Sequence, residues 1–237
     1  MAEQQHPTLN PWRTGLEVVG LTVLALVISI VGGVAFIVPV LVLGFDVAAT
    51  AVLVGLTAAG QVGLLVVGYA FVRRRRMEVP FATPSRAQWR TIAVGVVVAL
   101  LAAIGFSTLL TRLNLVPESV IGETAAVDPT FLLGLAVLSV LLVAPAEELL
   151  FRGAIQGRLR QSVGPVPAIA IASLLFGSIH VANYTGKVAP ILATSLLLAV
   201  IGAIFGTLYE RTGNLAVPIV VHAAYNVVLL VTAFVAS

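Results

Sequence analysis

An all-α, polytopic membrane bundle follows from three features of this 237-residue chain. Hydrophobic residues make up 59% and charged residues 10%, with a mean hydropathy of +1.10. Seven apolar runs approach or exceed the roughly 20 residues a helix needs to cross a bilayer. Arginines gather at alternating ends of those runs. No soluble globular domain has this composition, so residues 1–237 read as one integral membrane domain. The chain has no cysteine, which excludes disulfides and thiolate chemistry. Its net charge of +3 comes from arginines flanking apolar runs, not from a nucleic-acid surface.

The runs are Leu16–Leu43, Val47–Val72, Thr91–Leu110, Phe131–Arg158, Pro165–Ala182, Ala189–Tyr209 and Leu215–Val235. The first follows a polar start without a basic n-region and is too long for a signal peptide's apolar core, so it reads as a retained span. Its length leaves room for a re-entrant piece, which would raise the count to eight. Gly32-Gly33, Pro39 and Pro145 mark places where helices kink or break. Trp12 and Trp89 sit at run ends, as interfacial anchors do. Tyr184 and Tyr225 read either as anchors or as cavity lining.

Arginine placement sets the expected orientation. Arg73, Arg74, Arg75 and Arg76 close the second run and share a loop with Arg86 and Arg90. With that loop cytoplasmic, Arg13, Arg152, Arg158, Arg160 and Arg211 also fall on the cytoplasmic side, and only Arg112 and Lys187 fall outside. That puts the N-terminus inside and the C-terminus outside, in the cell membrane. The acidic residues Glu118, Glu123 and Asp128 then lie in an external loop. The arginine tetrad reads as a topology anchor and as a contact for anionic lipid.

The chain divides near Pro129. Residues 1–128 hold Gln61 and, at one end of a run, Glu17, but no central charge. Residues 129–237 hold the ionisable candidates. The fourth run reads A-P-A-E-E-L-L-F-R-G, with Glu147 and Glu148 adjacent and Arg152 after them. Two of the three histidines, His180 and His222, also lie within apolar runs. Ionisable groups are costly in hydrocarbon and persist mainly where they face an interior with a function.

Depth along the helices brings these groups together. From cytoplasmic boundaries at Arg158, Pro165 and Asn214, a rise of ~1.5 Å per residue puts Glu147 ~16 Å deep, His180 ~22 Å, His222 ~12 Å and Asn226 ~18 Å. All fall in a layer ~10 Å thick near the bilayer centre. This holds only if the fourth helix runs on through Arg152, which places Arg152 inside the protein and in need of a partner. Glu148 and Arg152 share a helix face at i,i+4 and read as a mainly structural ion pair. Glu147, rotated ~100° away, is left to face a water-filled cavity. A doublet alone does not say which carboxylate is the base, and the reverse assignment stays open. His222 and Asn226, also i,i+4, make a two-donor clamp suited to an oxyanion. Asn226 by itself would read as helix–helix glue. Phe176 and His180 share a face, and Gly177 and Ser178 allow a neighbouring helix to approach closely.

These residues resemble a known family. E-E-L-L-F-R at 147–152 matches an E-E-x-x-x-R motif, Phe176–His180 matches F-x-x-x-H, and His222–Asn226 matches H-x-x-x-N. Their order is similar to that of the CPBP family (CAAX protease and bacteriocin-processing, or Abi), which includes type II CAAX prenyl endopeptidases. The motifs cover Glu147 to Asn226; the first three runs carry none. The resemblance implies an intramembrane, glutamate-dependent endopeptidase open to the cytoplasm, acting on a peptide or a lipidated (CAAX) protein. By it, Glu147 with His180 activates water, His222 and Asn226 hold the oxyanion, and Glu148 and Arg152 support the site. Family members often have eight spans, against seven here.

Two histidines and a glutamate could also bind Zn2+ through Glu147, His180 and His222. No H-E-x-x-H is present, and an Asn on the His222 face suits an oxyanion better, so the expectation is no metal. Two other functions fit the same spans: a non-enzymatic scaffold or immunity protein, and a proton-coupled transporter. The halves show no duplicated pattern, which weighs against the transporter.

Overall fold

The computed structural model describes residues 9–237; the polar start before them lies outside the described residues. Among the described residues, seven helices are long and apolar enough to cross a membrane. They are α1 (Pro11–Val42), α2 (Thr50–Arg75), α3 (Arg86–Arg112), α5 (Thr130–Leu159), α6 (Pro165–Ile179, prolonged as a 3-10 turn over His180–Asn183), α7 (Val188–Thr212) and α8 (Ala216–Ala236). A short helix, α4 (Val120–Val127), lies between α3 and α5. Two-residue strands β1 (Glu118–Ser119) and β2 (Tyr184–Thr185) pair antiparallel, joining the loops after α3 and α6. The fold is a polytopic α-bundle of seven spans. The first run forms one uninterrupted helix through Gly32-Gly33 and Pro39, so no re-entrant piece adds an eighth.

Local chemistry explains the ends. The Asn10 side chain accepts from the backbone N–H of Trp12 and Arg13, and Pro11 fills the first turn of α1, where an N–H has no helical partner. Ser85 and Gln88 form a reciprocal capping box on α3. Arg76 and Gly213 end α2 and α7 in the left-handed conformation. Trp12 and Trp89 are exposed at helix starts, consistent with interfacial anchoring, whereas Tyr225 is buried against Phe205 in the apolar core and is not an anchor.

Polar contacts gather the arginine-bearing ends on one face. Glu17 on α1 pairs with Arg75 at the end of α2 and with Arg158 at the end of α5, the latter at 2.8 Å. Arg160 pairs with Glu210 on α7 at 2.8 Å. Asn214 holds the loop before α3 through both backbone groups of Ala82. On the opposite face Asp128 accepts from the N–H and hydroxyl of Thr130, capping α5, and from the hydroxyl of Thr50 at the start of α2. These bonds, that to Thr50 foremost, hold the Asp128 carboxyl below its ordinary range.

Two apolar clusters fill the bundle. One draws Val18 and Leu21 from α1, Val67 from α2, Leu150 and Ile155 from α5, and Phe176 from α6. The other draws Ile92 and Ala99 from α3, Ile201 and Phe205 from α7, and Val217 and Val221 from α8. Phe176 and Phe205 meet edge-to-face at 6.5 Å and join the clusters.

Helix α5 continues through Arg152, as the depth argument requires, but not as a regular α-helix. Two π-helical stretches, Ser139–Val143 and Leu149–Gln156, flank the α-helical Ala144–Glu148. Pro145 lacks an N–H and its ring clashes with the carbonyl four residues back, so a wider turn before it lets the helix continue without breaking. The doublet sits between the two widened stretches.

Candidate functional site

Four helices converge on Glu147. The side chain is buried, 4% exposed, on the narrow α-helical segment of α5. The Gln61 amide on α2 donates to its Oε1 at 3.0 Å. Its Oε2 accepts no hydrogen bond from protein and faces Nε2 of His180 and Nε2 of His222, each at 3.9 Å. Those two distances exceed a direct hydrogen bond and suit a bridging water.

Both imidazoles are oriented by their other nitrogen. His180 Nδ1 lies 2.7 Å from the Phe176 carbonyl, which can only accept, so Nδ1 carries a proton. This is the i,i+4 face expected for Phe176 and His180. His222 Nδ1 lies 2.9 Å from Glu148 Oε1. Nε2 of each ring is therefore presented to the same carboxylate oxygen.

Glu148 is fully buried and binds two partners, since its Oε2 lies 3.1 Å from Arg152 Nε. The structural pair read from i,i+4 spacing is present, and Glu148 additionally holds His222, a contact that spacing did not predict. Arg152, 1% exposed, also donates through Nη2 to the Gly202 carbonyl at 2.8 Å, and its guanidinium lies 4.8 and 5.5 Å from the ring centres of Phe176 and Phe205. Phe205 stacks on His222 at 4.9 Å. The charges of Arg152 and Glu148 are thus enclosed by aromatic faces and a backbone carbonyl, while Arg152 Nη1 and Glu148 Oε2 make no hydrogen bond to protein.

The structure brings Glu147, Glu148, Arg152, His180 and His222 into one cluster. Asn226, on the same helix as His222, sends its amide to Ser139 Oγ at 3.4 Å. Against the expectation of a water-filled cavity at Glu147, that residue is buried. His180 is the least enclosed, its side chain 17% exposed. Gln61 also lines a cavity of about 410 Å³ between α1 and α2, with Ser29, Gly33, Thr57 and Gly60.

Sequence reasoning left Gln61 without a role and did not find Gln156, Gly202, Phe205 or Gly206. A signal for most of them was present. Arg152, Gln156 and Arg160 recur every fourth residue along α5 and its C-cap, and Gly202, Gly206 and Glu210 do so on α7. The three pairs form a ladder: Arg152 to the Gly202 carbonyl, Gln156 to the Gly206 carbonyl at 3.1 Å, and Arg160 to Glu210. A Cβ at Gly206 would sit 2.7 Å from Gln156 Oε1, so any larger residue there would have to push the Gln156 amide aside. The close approach expected at Gly177 is also present: a Cβ there would lie 2.3 Å from the Ser195 carbonyl on α7.

As placed, Glu147, His180 and His222 do not fit zinc. An ion ~2.1 Å from both ends of a 3.9 Å N–O pair subtends about 136°, far from tetrahedral. No group of three or more His, Cys, Asp or Glu among the described residues is arranged to hold a metal ion.

Comparison with known proteins adds one finding. Residues 129–228, 100 of the 237, match the family model described as type II CAAX prenyl endopeptidase Rce1-like. The resemblance read from the three motifs is borne out over that segment, which contains every motif residue and excludes Gln61. No curated protein and no solved structure matches.

Proposed function

We propose that this chain is an intramembrane endopeptidase that cleaves a membrane-associated, CAAX-type peptide with Glu147 as general base. The Rce1-like match supports protease activity of that general kind. The observation that carries the base assignment is the free Glu147 Oε2, facing two imidazole nitrogens at 3.9 Å in a buried site. In this reading a water lies among Oε2, His180 Nε2 and His222 Nε2. Glu147 takes its proton as the oxygen attacks the peptide carbonyl carbon. His222 Nε2–H and the Asn226 amide, released from Ser139, receive the oxyanion. The C–N bond then breaks, and Glu147 returns the proton to the leaving amine.

Charge balance assigns Glu148 its part. Glu147, Glu148 and Arg152 together carry one net negative charge, which is costly to bury. One further proton on His222, held by Glu148 at Nδ1, neutralises the cluster and makes Nε2 a donor. Gln61 keeps Glu147 Oε1 occupied and so leaves Oε2 for the water. The reaction takes no metal in this reading. In this reading the arginine-bearing face is the cytoplasmic one, with the protein in the cell membrane.

The test is cleavage of a quenched fluorescent farnesylated CAAX peptide by the detergent-purified protein, beside Glu147→Ala, with and without 1,10-phenanthroline. Wild-type cleavage that is lost in the variant and unaffected by chelator is the expected result. Equal rates for both proteins would sink the base assignment. Loss of activity with chelator would overturn the metal-free mechanism. A biological effect that survives in Glu147→Ala would favour a non-enzymatic scaffold.

A further inference from the structure

A second groove, of about 550 Å³, runs between α1 and α2 and has the dimensions and charge of a lipid site. Its walls include Leu24 and Ile28 on α1 and Val66 and Val67 on α2, and its mouth holds Glu17, Arg74 and Arg75. From Glu17 to Ile28 the groove follows α1 for ~16 Å, and from Arg75 back to Val66 it follows α2 for ~14 Å. Both lengths equal half of a ~30 Å hydrocarbon core. The groove therefore spans one leaflet, polar at the interface and apolar at depth, which is the profile of a phospholipid.

The mouth selects for charge. The acidic residue there, Glu17, is already engaged by both Arg75 and Arg158. Arg75 also lies 5.8 Å over the Phe71 ring, which fixes its position. Arg74 makes no ion pair among the described residues and is exposed, with Arg73 and Arg76 beside it. A phosphate at the mouth would meet fixed and free guanidinium groups, and a zwitterionic headgroup would leave part of that positive charge unmatched.

We propose that this groove binds one anionic phospholipid of the leaflet on the arginine-bearing face, with its phosphate on Arg74 and Arg75 and an acyl chain along Leu24, Ile28, Val66 and Val67. The site is separate from the Glu147 cluster, and its occupancy does not depend on the protease reading.

The experiment is native mass spectrometry of the full chain in mild detergent, titrated with phosphatidylglycerol or phosphatidylcholine. Phosphatidylglycerol should give a one-lipid adduct at a roughly tenfold lower concentration. Gly20→Trp should abolish that adduct: Gly20 lines the groove and a Cβ there meets nothing within 4 Å, so the indole fills the groove without a clash. Arg74→Gln, at an exposed position, should remove most of the preference for phosphatidylglycerol over phosphatidylcholine. Equal uptake of the two lipids by wild type, or an undiminished adduct in Gly20→Trp, overturns the proposal. So does displacement of the lipid by a farnesylated peptide, which would make the groove a substrate site.

Discussion

The α1–α2 pair and the α5–α7 pair are held together by different forces. In an 18-residue apolar stretch of α1 or α2, 22% of residues are buried; in α5 and α7 the share is 44%, and in α3, α6 and α8 it is 22%, 28% and 22%. The pairing of α1 with α2 rests on small residues: a Cβ at Gly63 would sit 2.9 Å from the Ile28 carbonyl. The pairing of α5 with α7 rests on side chains that reach into backbone, Arg152 and Gln156 on the Gly202 and Gly206 carbonyls. In hydrocarbon, apolar packing alone does not drive helices together, so hydrogen bonds and close approach decide. The α5–α7 pair, beside the Glu147 cluster, uses hydrogen bonds, which fix distance and direction. The α1–α2 pair uses close contact.

Several changes would break or sharpen this contrast. Glu147→Gln removes the base while keeping the shape, and the cleavage rate should fall ~10²–10⁴-fold at an unchanged unfolding temperature. Arg152→Met leaves Glu148 buried without its cation and should cost about 3–5 kcal/mol in denaturation of the detergent-solubilised protein; adding Glu148→Gln should recover part of it. Gln61→Leu tests whether the α1–α2 pair contributes to the chemistry. It should lower kcat roughly 10–100-fold with little change in stability, and an unchanged kcat would confine the site to residues 129–237.

Paired glycine substitutions give a smaller effect. Gly206→Ala forces Gln156 aside and should cost about 1–3 kcal/mol. Gly15→Ala, where a Cβ meets nothing within 4 Å, should instead stabilise by about 0.5–1 kcal/mol. The smallest effect concerns Asp128, which ties α2 to α5. Its folded carboxyl lies below the ordinary carboxylate range, so its contribution is present above the unfolded value and fades as pH falls through the depressed folded value. The unfolding temperature of Asp128→Asn should lie below that of wild type at neutral pH, and the gap should close in strong acid.

All seven spans were legible because the length of apolar runs is a direct reading of bilayer thickness. So was the Glu148–Arg152 pair, because i,i+4 spacing within one helix needs no knowledge of other helices. The link from Glu148 to His222 was not, because it crosses 74 residues and depends on how α5 and α8 rotate about their axes. Gln61 stayed silent for the same reason: a lone amide in a span has many partners open to it. The π-helical turns were also hidden. Pro145 announced a disturbance, but a widened turn and a break satisfy the same local constraint, and the packing of neighbouring helices decides between them.

The ion pair within α5 bears on how the protein is made. Chains emerge N-terminus first, so Gln61 is synthesised before Glu147, whereas His180 and His222 follow it. Glu148 and Arg152 neutralise one another within a single helix, so α5 can enter the bilayer without waiting for later spans. Glu147, by contrast, has both imidazoles only once α8 has joined. On the proposed reading, a partly synthesised chain therefore holds no complete site until its last span is in place.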